Sequence, residues 1–261
     1  MVQATTTTLE EADFDLFGEL TPAEEAAIET RKQRVYGEID VTLKRMSNDP
    51  RERTVAENRF FFDHVRHGRF QVPQTQQGVF SPEECRDILN VCRSITDWTT
   101  ERHSAFPTTD IPVLGTPLLA YLPDLVRSRL LENMARHFGF HPTRDLDFRD
   151  IFIVKYAANA QKGLEAHTDG CLMSFNILLS HPDDFQGGGT WFESTNEIMR
   201  LNQGDALYHD ARITHRGVDI SKGERYILVG FVDTKDTVEK DKLAKKTGFN
   251  RARMVNKEDM V

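Results

Sequence analysis

Apolar and polar positions recur with helical spacing in the first half of the chain. Thr21 is followed by proline, alanine and glutamate, which supply an N-cap, a proline at the first helical position and an acidic first turn, and the helical pattern runs to about Met46. Ser81 opens a second helix with a capping box, and the apolar residues up to Ser94 fall on one face. A third helix is predicted over residues 116–138.

The pattern changes at Phe148, after which short runs of β-branched and aromatic residues alternate with glycine and polar turns. Many short antiparallel strands at this spacing are typical of a sandwich, a barrel or a jelly roll. Turns are predicted at residues 160–163, 182–188, 202–204 and 221–223. The predicted strands cover residues 151–156, 170–179, 189–193, 206–210, 213–218 and 225–233.

These patterns divide the 261 residues into four predicted segments. Each has its own composition, and the last is rich in lysine and acidic residues, which suits a solvated helix or tail. The segments are a mobile N-terminal part (1–20), a helical support region with the first strands (21–147), a β core (148–233) and a charged C-terminal tail (234–261).

Composition argues against several partners. The net charge is −8, so no global positive field attracts nucleic acid, and no apolar run approaches the roughly 20 residues of a membrane span. The first residues have neither a basic nor an apolar signal region, which favours a cytoplasmic location. Cys85, Cys92 and Cys171 form no metal-binding pattern and are interpreted as small buried residues in a reducing compartment.

Two residues at strand spacing could hold a metal ion. His167 and Asp169 are two positions apart, so in an extended backbone both side chains project to the same side. His215 follows 46 residues after Asp169, which leaves room for several strands and a return to the same sheet. Two histidines and one carboxylate suit non-haem Fe(II) because three coordination positions stay open. Zinc, with a hydrolytic or structural role, is the alternative.

Arg225 begins the otherwise apolar stretch RYILVGFV, ten residues after His215. A permanent cation at the edge of an apolar strand needs a partner. A guanidinium matches a carboxylate with two parallel hydrogen bonds. We therefore expect Arg225 to hold the distal carboxylate of a dicarboxylic ligand that also binds the metal.

Together these landmarks resemble the prolyl 4-hydroxylase-like branch of the 2-oxoglutarate/Fe(II)-dependent oxygenases. The resemblance covers about residues 150–233, with a weaker match in the helix that begins at Ser81. Its landmarks, in order, are H-x-D at 167–169, a glycine-rich segment leading into aromatic residues at 184–192, Gly-Asp-Ala-Leu at 204–207, His-Arg-Gly at 215–217 and Gly-Glu-Arg-Tyr at 223–226.

The resemblance implies a fold that is mainly β with N-terminal helices, around a double-stranded β-helix or jelly-roll core. It implies Fe(II) bound by His167, Asp169 and His215, and 2-oxoglutarate bound by Arg225 and Tyr156. O2 is then the second cosubstrate, and ascorbate is a candidate reductant. Collagen-type prolyl hydroxylases carry lysine where this chain has Arg225, which argues against a collagen-like substrate. Asp169 argues against the halogenating members, which replace this carboxylate with a small residue.

Other residues are candidates for roles beside the metal. His209, in Tyr-His-Asp, is the main rival of His215 as a ligand, but no Arg-Gly follows it. The polar and aromatic stretch 98–110 is a hypothetical substrate loop with Arg102 and His103 as contacts, or else an ordinary surface connection. Trp191 is interpreted as a core residue or as part of the pocket border.

The sequence thus predicts a dioxygenase that hydroxylates an unactivated C–H bond of an amino acid, a small metabolite or a peptidyl side chain, with release of succinate and CO2. Two alternatives remain open, a peptidyl prolyl hydroxylase and a non-catalytic jelly-roll protein that binds a metal. The substrate is a small molecule or a peptide, without nucleic acid or membrane partners. The sequence carries no indication of the oligomeric state.

Overall fold

The computed structural model describes residues 20–103 and 105–247. Most of the predicted mobile segment 1–20 and the last part of the predicted tail, 248–261, lie outside the described residues, so the four-segment division stays a prediction. The chain forms two compact units, Met1–Met46 and Ser47–Val261. None of the helices in the described part of the chain is long and apolar enough to cross a membrane.

The described part of the first unit is one helix, α1 (Pro22–Arg45). It begins where the sequence predicted, because Thr21 and Glu24 form a reciprocal capping box that satisfies two backbone N–H groups. None of its residues is buried.

The second unit begins with helices, some of which differ from the prediction. The helix α3 (Pro82–Ser94) confirms the capping box at Ser81 and buries one face. The helix α2 (Val55–Arg69) was missed, although Thr54 and Glu57 form a further capping box. The helix predicted over 116–138 is confirmed from Leu122 onward, where α4 (Leu122–Val126), a π-helical turn (Arg127–Leu131) and α5 (Glu132–Phe138) follow one another directly. Its predicted start is wrong, because Pro117–Leu119 forms a separate 3-10 turn and Pro123 lies in the first turn of α4.

The described strands follow one another along the rest of this unit, and a last helix, α6 (Lys235–Thr247), comes after them. The strands are β1 (Gln74–Gln76), β2 (Asp110–Pro112), β3 (Leu146–Ala157), β4 (Leu164–His167), β5 (Met173–Leu178), β6 (Phe185–Gly187), β7 (Thr190–Phe192), β8 (Glu197–Met199), β9 (Ala206–Asp210), β10 (His215–Gly217) and β11 (Ile220–Thr234).

These strands form two antiparallel sheets. The larger sheet has the order β1-β9-β5-β11-β3-β2, with β6 paired to β11, and the smaller sheet has the order β4-β10-β7-β8. Apart from the pairs β2–β3 and β7–β8, neighbouring strands in the sheets are not consecutive in sequence, which is the topology of a jelly roll rather than of a meander of hairpins.

The larger sheet is buried on both faces. Side chains alternate along each strand, so Ile151 and Ile153 of β3 join a core cluster with helices α2, α3 and α5, whereas Phe152 and Val154 belong to a second cluster on the other face. Every residue of β5 is buried for the same reason. The face turned away from the helices therefore lines the interior between the two sheets.

Most predicted strands exist, with shifted ends. The strand predicted at 206–210 has the observed limits of β9. The turn predicted at 221–223 is wrong: these residues lie inside β11, where Gly223 has a positive φ and the pairing with β6 is irregular. A bulged long strand can contain the glycine that, in sequence, indicates a turn. The strand β4 was missed because it has only four residues and little burial.

Gly204 offers a stability test of this fold. Its φ is +84°, and a Cβ built there would lie 2.0 Å from the carbonyl oxygen of Phe80. Gly78 also has a positive φ, +63°, but nothing lies within 4 Å of its Cβ position. Replacing Gly78 by alanine should lower the free energy of unfolding by about 1–2 kcal/mol, the cost of the left-handed backbone.

Gly204→Ala should lower the free energy of unfolding by more than about 3 kcal/mol, because overpacking against Phe80 adds to the cost of the left-handed backbone. Urea denaturation of both variants measures the difference. Equal losses would mean that the contact between Gly204 and Phe80 imposes no steric limit.

Candidate metal centre

The smaller sheet brings the three predicted ligands together. His167 is the last residue of β4, His215 is the first residue of β10, and the two are directly paired across the strands. Asp169 follows β4 by two positions. One ligand atom from each of the three residues lies within 4.8 Å of the others, and this is the group of potential metal ligands found among residues 20–103 and 105–247.

Backbone carbonyls orient both imidazole rings. Nδ1 of His167 lies 2.7 Å from the carbonyl oxygen of Glu165, and Nδ1 of His215 lies 3.0 Å from that of Ile213. A carbonyl oxygen only accepts hydrogen bonds, so each Nδ1 is the donor in its bond, and Nε2 is the ring nitrogen left to bind a metal. Outer-sphere bonds of this kind are typical of metal-binding histidines.

Asp169 is held between the two histidines. Its carboxylate oxygens lie 3.6 Å from Nε2 of His167 and 3.6 Å from Nε2 of His215. The Ser174 hydroxyl donates to Oδ2 at 2.5 Å, and the Asp169 backbone N–H donates to the carbonyl oxygen of Ala211 at 2.9 Å. Both the side chain and the backbone of this residue are therefore fixed.

Burial keeps His215 in the form that binds metals. It lowers the pKa of this imidazole, while the neighbouring Asp169 carboxylate acts in the opposite direction. A metal ligand must be a neutral imidazole, so the pKa shift favours metal binding.

His209, the rival considered in the sequence, is close to the triad but is not part of it. Its ring centroid is 4.4 Å from that of His215, and its Nδ1 lies 2.9 Å from the carbonyl oxygen of Asp210. Burial lowers the pKa of His209 to about 3, so it is a neutral side chain beside the centre. Of these two histidines, it is therefore His215 that forms the potential metal site with His167 and Asp169.

A cavity of about 420 Å³ opens from the triad into the space between the sheets. Its walls carry Tyr156 of β3 and Arg225 of β11, which are direct cross-strand partners. The Arg225 guanidinium lies 5.6 Å from the centre of the Tyr156 ring. The two residues predicted to bind the cosubstrate are therefore neighbours in the same cavity as the triad.

Arg225 is a buried cation without an acidic partner in the part of the chain that the structure describes. Its side chain is only 3% exposed, and its Nη1 atom has no hydrogen-bond partner. No carboxylate in the described ranges forms an ion pair with it. Burial accordingly lowers the pKa of Arg225, and Tyr156 opposes this shift. An anionic group in the cavity would supply the missing hydrogen bond and the missing charge.

Gly217, the last residue of the His-Arg-Gly motif, allows this arrangement. A Cβ at this position would lie 2.9 Å from the Tyr156 hydroxyl oxygen. Glycine therefore lets the tyrosine ring approach β10 closely, next to the ligand His215.

The hypothetical substrate loop reaches the cavity. Arg102 and His103 both line it, and the His103 ring lies 4.6 Å from that of Phe152. Arg102 is already paired, however, since its Nη1 donates to Asp110 at 2.5 Å and its Nη2 to Asp150 at 2.6 Å. Its charge is thus balanced by protein groups. Nε2 of His103 lies 3.7 Å from Oδ2 of Asp110 and, within residues 20–103 and 105–247, has no hydrogen-bond partner.

Trp191 does not line the cavity. Strand alternation puts its neighbour Thr190 there, while the indole N–H of Trp191 donates to Asn196 at 3.2 Å. Phe106, in the loop, contacts the metal site instead, with its ring centroid 4.9 Å from that of His167. Sequence reasoning missed the inward residues Phe152, Phe231 and Asn176, although period-2 alternation from Tyr156 and Arg225 could have identified the first two.

Sequence comparisons give two findings. No family model matches the chain. Among curated proteins, it is 27% identical over 168 residues to human procollagen-lysine,2-oxoglutarate 5-dioxygenase 2, covering 59% of this chain and 23% of that protein. It is 40% identical over 99 residues to the rat procollagen-lysine,2-oxoglutarate 5-dioxygenase 1, covering 36% of this chain and 13% of that protein. The chain therefore spans less than a quarter of the length of these relatives.

A comparison with solved structures concerns the fold. An oxidoreductase of the 2OG-Fe(II) oxygenase family from Burkholderia pseudomallei superposes with a TM-score of 0.50 at 15% sequence identity, covering 70% of this chain and 91% of that chain. The predicted fold class, β-rich with N-terminal helices and a jelly-roll core, is confirmed. The predicted resemblance to 2-oxoglutarate/Fe(II) oxygenases is confirmed as well, since these relatives carry that class in their names.

Proposed function

We propose that this chain is an Fe(II)- and 2-oxoglutarate-dependent dioxygenase that hydroxylates an unactivated C–H bond. The observation that carries the proposal is the buried Arg225 guanidinium, which has no acidic partner among the described residues and lies in the same cavity as His167, Asp169 and His215. A metal triad alone fits many activities. A triad that shares its cavity with a carboxylate-binding cation fits a dicarboxylic cosubstrate.

The donor set fits Fe(II). Two imidazole Nε2 atoms and one carboxylate leave three positions of an octahedral ion open, which suits a chelating cosubstrate and O2. When bound, Fe(II), 2-oxoglutarate and O2 supply the oxidation of C–H to C–OH, coupled to the conversion of 2-oxoglutarate to succinate and CO2.

The protein's own residues position the reactants and exclude water. Arg225 and Tyr156 would bind the distal carboxylate at the deep end of the cavity, and Ser174 holds Asp169 in place. Phe152 and Phe231 pack edge to face, with ring centroids 5.3 Å apart, and give the cavity an apolar wall. Such a wall removes water from the reacting C–H group.

The second candidate is a protein that binds a metal without catalysis. A structural zinc site is usually closed by four protein ligands. Among the described residues, the group contains three ligands and faces a cavity, and such a site has no use for Arg225. The observed arrangement therefore favours the enzyme.

For the substrate, the relatives suggest a first candidate. They are named for procollagen lysine, so we propose a lysine side chain in a peptide, ahead of free amino acids and small metabolites. Peptidyl proline remains the alternative from the sequence. His103, whose Nε2 atom lies 3.7 Å from Asp110 and has no hydrogen-bond partner among the described residues, is proposed as a contact. Arg102 is proposed to hold the loop through Asp110 and Asp150.

Succinate release tests the function. The protein is reconstituted with Fe(II), 2-oxoglutarate, ascorbate and O2, and incubated with a lysine-containing peptide, the same peptide with proline in place of lysine, free L-lysine or no addition. We expect succinate release to require Fe(II) and to rise with the lysine peptide, which should gain the mass of one oxygen atom. Stimulation by the proline peptide alone would transfer the assignment to a prolyl hydroxylase, and no succinate under any condition would refute the dioxygenase.

A further inference from the structure

The helix α1 has an exposed apolar stripe along one side. This α1 stripe consists of four residues whose spacings of seven and four put them on the same side of the helix, Ile28, Val35, Ile39 and Leu43. Ile28 and Val35 are each 40% exposed, and none of the residues of α1 is buried. In water a helix gains most of its stability by packing such a side against another surface. The α1 stripe therefore indicates a docking surface.

A row of charges that alternate in sign runs along one edge of the α1 stripe. Its members, spaced seven residues apart, are Glu24, Arg31, Glu38 and Arg45. Within one helix, residues at this spacing are about 10 Å apart along the axis, so neighbouring members of the row cannot form ion pairs with each other. None of the last three members forms an ion pair with the described residues. Lys44, on another side of α1, in contrast pairs with Asp40 at 2.6 Å.

A second copy of α1 in antiparallel orientation matches this row of charges. The row is symmetric about a point between residues 34 and 35, because its two outer members have opposite charges and so have its two inner members. A two-fold axis through this point puts each member opposite a charge of the other sign in the second helix. A parallel pair in the same register would instead put each charge beside its own copy. Charge complementarity therefore favours the antiparallel pair, in which the two copies of Val35 lie next to the axis.

The charge balance of α1 argues against other partners. Pro22–Arg45 contains five acidic and five basic residues, so this helix has no net charge. Anionic lipid surfaces and nucleic acids attract helices that have an excess of lysine and arginine. A neutral helix with a self-complementary edge fits a second copy of the same chain.

We propose that α1 is a homodimerisation element that pairs with α1 of a second copy of this chain, antiparallel and about a two-fold axis next to Val35. The α1 stripes of the two copies cover each other, and Arg31 pairs with Glu38 of the partner subunit on both sides of the axis. The inference does not depend on the proposed function.

Analytical ultracentrifugation of the full chain tests the pairing. We expect the wild type to convert reversibly from monomer to dimer as its concentration rises. Val35→Glu should weaken the dimer by about 100-fold, because it removes two apolar side chains from the contact and puts two like charges at the axis. Val41→Glu is the matched control: Val41 is 46% exposed but lies on the opposite side of α1, so the same substitution should change the dissociation constant by less than about 3-fold.

Charge reversal tests the orientation. Arg31→Glu alone and Glu38→Arg alone each replace two attractive contacts across the axis by two repulsive ones, and each should weaken the dimer by about 10-fold. A mixture of the two variants restores opposite charges at both contacts, so it should form a heterodimer within about 3-fold of the wild-type dissociation constant. In a parallel dimer neither single reversal would weaken the contact, since like charges would face each other before and after the change.

Three results would overturn the proposal. A wild type that stays monomeric at every concentration excludes the dimer, and a melting temperature of this monomer that falls with Val35→Glu but not with Val41→Glu would mean that the α1 stripe packs within one chain. A dimer that responds equally to Val35→Glu and Val41→Glu has its interface elsewhere. Single charge reversals without effect refute the antiparallel register. Circular dichroism of each variant shows that the comparison is made on folded protein.

Discussion

Replacing Asp169 by alanine is expected to lower Fe(II)-dependent succinate release by well over about 100-fold. The reason is that Asp169 supplies the carboxylate of the ligand set, the other two ligands being imidazoles, which bind metal ions in their neutral form. Loss of an outer-sphere partner of a metal ligand already reduces affinity or activity by about 10- to 100-fold, and loss of the ligand itself must exceed that. The metal content of the purified variant should fall in parallel.

Ser174→Ala is the matched comparison. It removes the hydroxyl that donates to Oδ2 of Asp169 but leaves all three ligands in place. We expect a loss of about 10- to 100-fold, between the wild type and Asp169→Ala. Succinate release, metal content and melting temperature are measured for the three proteins side by side. Undiminished turnover in Asp169→Ala would exclude the triad as the catalytic centre, whatever the result for Ser174→Ala.

The triad was predictable because its constraints are local. His167 and Asp169 are two residues apart on extended backbone, so their relative position follows from strand geometry. The pairing of His167 with His215 is long-range. The topology that produces it was indicated by the two landmarks between them, the glycine-rich segment at 184–192 and Gly-Asp-Ala-Leu at 204–207. Arg225 stood out for a simpler reason, because a permanent charge in an apolar strand needs an anionic partner. The structure buries it in the cavity, and its binding of a cosubstrate stays a prediction.

The remaining parts depend on packing that the sequence does not display. Arg102 was a proposed substrate contact, yet its partners Asp110 and Asp150 are eight and 48 residues away, and the two ion pairs form only after the loop folds onto β3. Asn176 was inside a predicted strand, but whether it faces the helices or the cavity depends on the register with β11. A one-residue shift would have exchanged it with Phe175.

Arg66→Met is expected to lower the free energy of unfolding by about 3–5 kcal/mol, the largest stability effect we predict for an ion pair of this protein. Arg66 and Asp210 are each 1% exposed, and the Arg66 Nε atom donates to Oδ2 of Asp210 at 2.7 Å, with a second bond from Nη2 to Oδ1. The guanidinium also lies 4.6 Å from the centre of the Phe62 ring. Methionine keeps much of the volume but leaves the Asp210 carboxylate buried and unpaired.

Arg66→Met should also weaken metal binding. Asp210 precedes Ala211, whose carbonyl oxygen accepts a hydrogen bond from the backbone N–H of Asp169 at 2.9 Å. Mn²⁺ should therefore bind more weakly to Arg66→Met even at temperatures where the protein is folded.

Arg136→Met is the matched control, since Arg136 pairs with Glu132 on the surface of α5, where both side chains are exposed and the pair contributes only about 0.3–0.5 kcal/mol.

The double variant Arg66→Met/Asp210→Asn tests the cause of the expected loss of stability. If the loss comes from an uncompensated buried charge, removing the charge of Asp210 should restore part of the stability, whereas a loss caused by packing alone would be at least as large in the double variant. Guanidinium denaturation provides the free energies. If Arg66→Met lost no more than Arg136→Met, the pair of Arg66 and Asp210 would not be a stabilising link between α2 and the end of β9.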